Sequence, residues 1–266
     1  MQHLFQSWES FSSEVRNASH VVLLSDYDGT LTPIVGRPDE AILSPAVREI
    51  LVALAQKTTF SVGIISGRSL SEVKALVGIE GIYYAGNHGF EIEGPGLKFI
   101  NPAAEAAQVI IKGLALQASA KFKDIDGVIV EDKGLSLSVH YRLVKKSEEE
   151  KVANIFRQLT APGLHDGKIR VTSGKKVWEI RPPIDWHKGK AVKTIIQELK
   201  TATRSKKGLN IYLGDDTTDE DAFRIIHRPQ GWSIFVGQEN HTSAAEYFLN
   251  STSEVTIFLS QLIDLK

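Results

Sequence analysis

Two acidic clusters carry the chemistry open to this sequence. The first, Asp26-Tyr27-Asp28-Gly29-Thr30, directly follows the apolar run Val21–Leu24. Residues two apart in an extended chain point the same way, so Asp26 and Asp28 can converge. The second, Gly214-Asp215-Asp216-Thr217-Thr218-Asp219, directly follows the run Leu209–Leu213. Taken singly, either cluster serves equally well as a turn or a helix cap. Thr218, Asp219, Glu220 and Asp221 would make an acidic first turn of a helix. At the ends of two strands in one parallel sheet, however, they bring three or more carboxylates to the edge where open α/β sheets bind ligands. Two carboxylates within ~4 Å repel by about 4 kcal/mol at an effective dielectric of about 20. A divalent cation offsets that repulsion. Mg2+ takes one or two carboxylates and completes its shell with water and phosphate oxygens.

Two further pieces fit a phosphate. Ser66-Gly67-Arg68 follows the run Phe60–Ile65, which places Ser66 at another strand end. Its hydroxyl and the nearby backbone N–H groups can hold a phosphate oxygen near a helix N-terminus, or simply cap that helix. Lys188, in Trp186-His187-Lys188-Gly189-Lys190, opens the helix before the second acidic run. A cation there opposes the helix dipole, so it reads either as a surface lysine or as one placed beside a phosphate. Arg68 and Arg142 can contact a phosphate or serve as surface charge.

The elements that must position these groups are legible in the hydrophobic pattern. Val21–Leu24, Phe60–Ile65, Ile82–Tyr84, Leu209–Leu213 and Ser233–Val236 are continuous apolar runs, as strands buried on both faces require. Between them lie amphipathic helices. Ser44-Pro45 reads as N-cap and first helical residue, with Val47, Ile50, Leu51 and Leu54 forming one stripe. Ser69 with Glu72 reads as a capping box, and Gly78 as the stop. Val192, Ile195, Ile196 and Leu199 repeat the stripe. Residues 1–19 read as a helix packed on this domain. The expected class is α/β, a doubly wound parallel-sheet core domain formed by residues 1–101 and 182–266.

Residues 102–181 read differently, as an inserted α+β domain with two helix-strand-strand units. The first is Ala103–Phe122, Val128–Glu131 and Leu135–Tyr141, turning at Asp132-Lys133-Gly134. The second is Glu148–Leu159, Ile169–Thr172 and Val177–Arg181, turning at Ser173-Gly174. Short turns make these strand pairs antiparallel. Leu135, Leu137, Val139 and Tyr141 form a face for the helices; Ser136, Ser138, His140 and Arg142 form one left for solvent or ligand.

Composition narrows the function classes. Of 266 residues, 42% are hydrophobic and 24% charged, as in ordinary globular chains. The net charge of −1 and the lack of a basic block exclude a broad nucleic-acid footprint. No apolar run approaches the ~20 residues of a membrane span. No cysteines are present, so disulfides and thiolate metal sites are excluded. A soluble cytoplasmic protein, with monomer the simplest state, is the expectation.

The four pieces, in their order along the chain, resemble the haloacid dehalogenase-like phosphohydrolase superfamily. Longer matches resemble one branch, the trehalose-6-phosphate phosphatases. These are Asp26 through Ile34, Ala85-Gly86-Asn87-His88-Gly89-Phe90-Glu91, Glu131-Asp132-Lys133-Gly134, Glu179-Ile180-Arg181-Pro182 and Gly214 through Phe223. The insertion has the size and pattern of that branch's cap domain. The resemblance implies Asp26 as nucleophile, Asp28 as general acid and base, and Ser66 and Lys188 against the transferring phosphoryl group. It implies Mg2+ on Asp26, Asp28 (through its backbone carbonyl) and Asp215, with Thr30, Asp216 and Asp219 orienting those ligands. Asn87, His88, Glu131, Lys133, His140 and Glu179 are the polar residues suited to sugar hydroxyls. A functional link to a trehalose-6-phosphate synthase follows from the same resemblance. The rival readings are a sucrose- or mannosyl-phosphate phosphatase, a phosphomutase such as phosphomannomutase, and a catalytically silent sugar-binding regulatory domain.

Overall fold

A computed structural model describes residues 1–203, 208–238 and 242–266. It divides into two compact units, Met1–Phe99 with Trp186–Lys266, and Ile100–Asp185. In chain order the first stretch holds β1 (Gln2–His3), α1 (Trp8–Asn17), β2 (His20–Ser25), α2 (Pro45–Gln56), β3 (Phe60–Ile65), α3 (Leu70–Val77), β4 (Tyr83–Gly86), β5 (Glu91–Gly94) and β6 (Leu97–Ile100). The second unit holds α4 (Pro102–Phe122), β7 (Ile129–Asp132), β8 (Leu137–His140), α5 (Glu149–His165), β9 (Arg170–Gly174) and β10 (Val177–Arg181). The first unit is completed by α6 (Lys188–Thr203), β11 (Gly208–Gly214), α7 (Glu220–Phe223), β12 (Gly231–Val236), β13 (Tyr247–Leu249) and α8 (Thr252–Ile263).

The first unit is built on one sheet of order β1-β13-β12-β11-β2-β3-β4-β5-β6. The neighbours from β1 to β4 pair in parallel, and β5 turns antiparallel against β4. Alternation along β2 explains why its run is apolar throughout. Val21 and Leu23 join the core that includes residues of α1, α2, α3 and α8, while Val22 and Leu24 join the core containing those of α6 and α7. Both faces of Val21–Leu24 are buried in these cores, so the run is apolar on each. The helix signals act as read: the Ser44 side chain accepts from the Val47 N–H, the Ser69 side chain from the Glu72 N–H, and Gly78 closes α3 in the left-handed conformation.

The second unit is a four-stranded antiparallel sheet of order β7-β8-β10-β9. Leu137, Val139 and Ile180 pack into one core with residues of α4 and α5.

Several expectations need correction. The turn between β9 and β10 falls at Lys175-Lys176 rather than Ser173-Gly174, with Lys176 at φ 65°. α5 runs on past Leu159 to His165 because the Pro162 carbonyl still accepts from the Asp166 N–H. Ser136 and Ser138 lie on the predicted open face yet are buried. The N-terminal segment adds an edge strand, β1, to the expected helix. In that segment Phe11 is fully buried, its ring 5.1 Å from Trp232 and 5.4 Å from Phe258. Phe11→Ala is expected to cost about 3–5 kcal/mol in urea unfolding; a loss below about 1 kcal/mol would show that α1 is not part of the cooperative core.

Candidate active site

The two acidic clusters meet because β2 and β11 are neighbours. Their register pairs Ser25 with Leu213, and the Asp26 N–H continues the ladder to the Leu213 carbonyl at 2.9 Å. Asp26 and Asp215 therefore leave adjacent strand ends side by side. Gly29, at φ 85°, lets the chain turn back there, and a Cβ on it would overlap the Asp215 carboxylate. Thr30 beside it is buried, and its hydroxyl has no hydrogen-bond partner among the described residues.

Lys188, at the start of α6, reaches into this cluster and is 2% exposed. Its Nζ lies 2.9 Å from Asp26 Oδ1 and 2.8 Å from Asp219 Oδ1. Asp219 is held from every side. The Tyr212 hydroxyl donates to Oδ1 at 2.6 Å, and the Asp215 and Asp216 N–H groups donate to Oδ2 at 3.1 and 3.2 Å. Asp219 thus looks back into the site from the N-cap position of α7, whose acidic first turn is Glu220 and Asp221. Asp216 accepts from the Thr218 N–H and hydroxyl, both at 2.7 Å.

The electrostatics follow from burial. Burial pushes the Asp26 carboxyl well above its ordinary range; Lys188 opposes this, and the charges of Asp219, Asp215 and Asp216 reinforce it. Burial also raises Asp219, against the pull of Lys188. Burial would raise Asp216 too, but Lys188 and Thr218 prevail and hold it below its usual value. Burial would discharge Lys188, yet Asp219 and Asp26 keep it firmly protonated. One ammonium thus faces four carboxyl groups. Oxygens of Asp26, Asp215 and Asp219 come within 4.8 Å of one another, a spacing a metal ion can bridge. Asp219 already accepts four hydrogen bonds or ion pairs, and the carboxylate oxygens of Asp26 and Asp215 could hold a hard divalent cation such as Mg2+.

The other predicted residues are dispersed around this centre. Both Asp28 oxygens are gripped by Arg68, at 2.8 Å from Nε and 2.7 Å from Nη2. Arg68 is itself buried, donates to the Pro38 carbonyl at 2.8 Å, and pairs with Glu72. The Glu72 side chain thus goes to Arg68 as well as standing at the predicted capping position. The Ser66 hydroxyl accepts from the Arg68 N–H at 3.1 Å. Asn87 and His88 turn at φ 50° and 56°, the Asn87 amide donates to Glu91 at 2.8 Å, and the His88 ring packs over Gly67.

In the second unit the predicted sugar residues form one network. Lys133 Nζ lies 3.4 Å from Glu179 and 3.9 Å from Glu131, and His140 sits 2.8 Å from Glu131. Ser136 donates to Glu179 at 3.2 Å, and Arg181 Nε does so at 2.6 Å. These carboxylates explain the burial of Ser136: long polar side chains cover the face that the sequence left open.

Comparison with known proteins decides the family. The model of the trehalose-phosphatase family matches residues 24–253. The chain belongs to the trehalose-phosphatase family. It is 37% identical to the probable trehalose-phosphate phosphatase D of Arabidopsis thaliana, over 96% of this chain and 70% of the relative. It is 39% identical to a trehalose-phosphate phosphatase of Mycobacterium ulcerans, over 89% of this chain and 60% of that one. Among solved structures it resembles the C-terminal domain of Candida albicans trehalose-6-phosphate phosphatase, with a TM-score of 0.78, 25% identity and 97% of each chain covered. A crystal structure of a haloacid dehalogenase-like hydrolase from Bacteroides thetaiotaomicron, at TM-score 0.60 and 15% identity, shares the fold. No helix among the described residues of this trehalose-phosphatase family member is long and apolar enough to cross a membrane.

Sequence reasoning missed Tyr212, Arg181 and Ser136, and left Arg68 undecided. Arg68 and Arg181 had a signal, since each lies two residues from a named site residue. Tyr212 had none, since its hydroxyl hides inside an apolar run. Lys188→Met should destabilise the chelator-treated protein by about 3–5 kcal/mol, because it strands buried carboxylates. Urea unfolding with and without Mg2+ checks this, and added Mg2+ should recover part of the loss.

Proposed function

We propose that this chain hydrolyses trehalose 6-phosphate to trehalose and inorganic phosphate, using Mg2+ and a covalent intermediate on Asp26. The observation that carries the reading is a family match that runs from residue 24 to 253, and so includes both acidic clusters, Lys188 and the polar network of the second unit. A carboxylate oxygen of Asp26 attacks phosphorus, forming an O–P bond as the bond from phosphorus to the sugar oxygen breaks. Asp28 gives that oxygen its proton. Water then attacks the same phosphorus, Asp28 takes the water's proton, and the Asp26–phosphorus bond breaks to release phosphate. Lys188 and Ser66 hold the phosphoryl oxygens in place during both displacements. Asp26, Asp215 and the Asp28 backbone carbonyl would hold Mg2+, which would supply Lewis-acid character and offset the repulsion between carboxylate and phosphate. Thr30, Asp216 and Asp219 keep these groups oriented.

The acid step sets a condition on Arg68. Both Asp28 oxygens are occupied by Arg68, so neither reaches a sugar oxygen until Asp28 leaves Arg68. Sugar recognition falls to Glu131, Lys133, His140 and Glu179, with Asn87 and His88, since a disaccharide needs many polar partners. A cytoplasmic setting, with trehalose-6-phosphate synthase as the functional counterpart, belongs to the same proposal.

Phosphate release should be measured from trehalose, sucrose, glucose and mannose 6-phosphates, with Mg2+ and with chelator. Turnover confined to trehalose 6-phosphate, and lost with chelator and in Asp26→Asn, is the expected result. Release from a different sugar would overturn the substrate, and isomerised sugar phosphate without free phosphate would reveal a mutase. Lys133→Ala should raise KM for trehalose 6-phosphate about 10-fold, the loss of one charge-assisted hydrogen bond. Hydrolysis of p-nitrophenyl phosphate should be unaffected; an equal loss on both substrates would remove Lys133 from sugar reading.

A further inference from the structure

We propose that the outer face of α4 pairs with the same helix of a second copy of this chain, in antiparallel orientation. α4 is apolar on two sides. Its inner stripe, Ile111, Leu114, Ala115, Ala118 and Phe122, fills the core of the second unit. Its outer stripe is Pro102, Ala106, Val109, Gly113, Leu116 and Ala120, spaced alternately four and three residues apart. That is the spacing of a helix-pairing seam. Val109 is 82% exposed and Leu116 68%, with Ile110 beside them at 37%. A helix in contact with its own domain on one side alone has no use for a second apolar stripe, and leaving it in water forgoes the transfer energy of large side chains.

Gly113, in the middle of the seam, is the second observation. Glycine inside a helix costs roughly 0.5–1 kcal/mol relative to alanine. A Cβ at Gly113 would meet nothing within 4 Å, so the chain's own packing does not require the glycine. A glycine on an open helix face lets another backbone approach closely.

Charge selects the occupant and its direction. Glu105, Lys112 and Lys123 flank the seam on the same side, Lys112 near its centre and the other two near its opposite ends. An antiparallel pair centred on Gly113 places Glu105 near Lys123 of the second copy, twice over by symmetry, and opposes the two helix dipoles favourably. A parallel pair would instead set Lys121 beside the other copy's Lys123. The antiparallel pair also sets Lys112 against Lys112 of the second copy at the centre, one repulsion against two attractions, so the antiparallel orientation remains the favoured one. A single helix pair is at the small end of specific interfaces, so association in the micromolar range is expected.

Sedimentation velocity across a concentration series of the full chain tests this. A reversible dimer is expected, weakened at least about 10-fold by Leu116→Glu, a loss of about 1.4 kcal/mol. Unchanged circular dichroism and phosphatase activity would show that this variant folds. Because the chain has no cysteines, Gly113→Cys reports geometry directly. It should form a disulfide-linked dimer under mild oxidation, while Ala120→Cys, about 20 Å from its symmetry mate, should not. A monomer at every concentration would overturn the proposal, as would a dimer indifferent to Leu116→Glu and not linked through position 113.

Discussion

A buried ammonium among buried carboxylates governs the first unit. Taking Lys188 and Asp219 out of water costs several kcal/mol per ion, and their attraction returns that only if the remaining oxygens and hydrogens are also satisfied. The local structure is arranged around that requirement. Tyr212 places its hydroxyl on Asp219 from within β11, and the backbone after β11 turns two N–H groups onto the same carboxylate. Gly214 has no side chain because any Cβ would strike Asp219. Asp26 joins through the β2–β11 ladder, and α6 begins where Lys188 can enter. The result is a cluster in which oxygens of Asp26, Asp215 and Asp219 lie within 4.8 Å of one another, a spacing a divalent cation can bridge.

Asp28 stands apart from this arrangement although it is only two residues from Asp26. Its carboxylate is 40% exposed and clasped by Arg68, whose own burial is supported by Glu72, the Pro38 carbonyl and the Tyr27 ring. Burial, with the Asp28 charge second, pushes the Tyr27 hydroxyl up to about 12, so this ring stays neutral and serves as a packing surface. Two aspartates of one motif therefore have opposite surroundings. Asp26 is buried, crowded and fixed, whereas Asp28 is accessible and its carboxylate is held by Arg68.

The second unit solves a different problem with the same material. Its sheet is covered by helices on one face, and on the other Glu179 is shared by Lys133, Ser136 and Arg181. These contacts fix the donors and acceptors of that face relative to one another. The outer side of α4 remains apolar and exposed, a surface that neither the sheet nor the polar network uses.

The sequence by itself determined the α/β class of the first unit, its central strands, the ends of α2 and α3, and the two acidic runs at strand ends. These are local properties: alternation, capping and turn chemistry are written within a few residues. It also carried the family, because the motifs occupy their expected order. Tertiary structure alone decided which partners the charges take. Arg68 on Asp28, Tyr212 on Asp219 and Arg181 on Glu179 depend on burial and on side-chain reach between elements, which no spacing encodes. The same holds for β13 and the edge strand β1, too short to leave a pattern and formed only because a neighbouring strand offers its unpaired backbone groups. It holds as well for α4, whose two apolar stripes look equivalent in sequence until one is packed and the other is left in water.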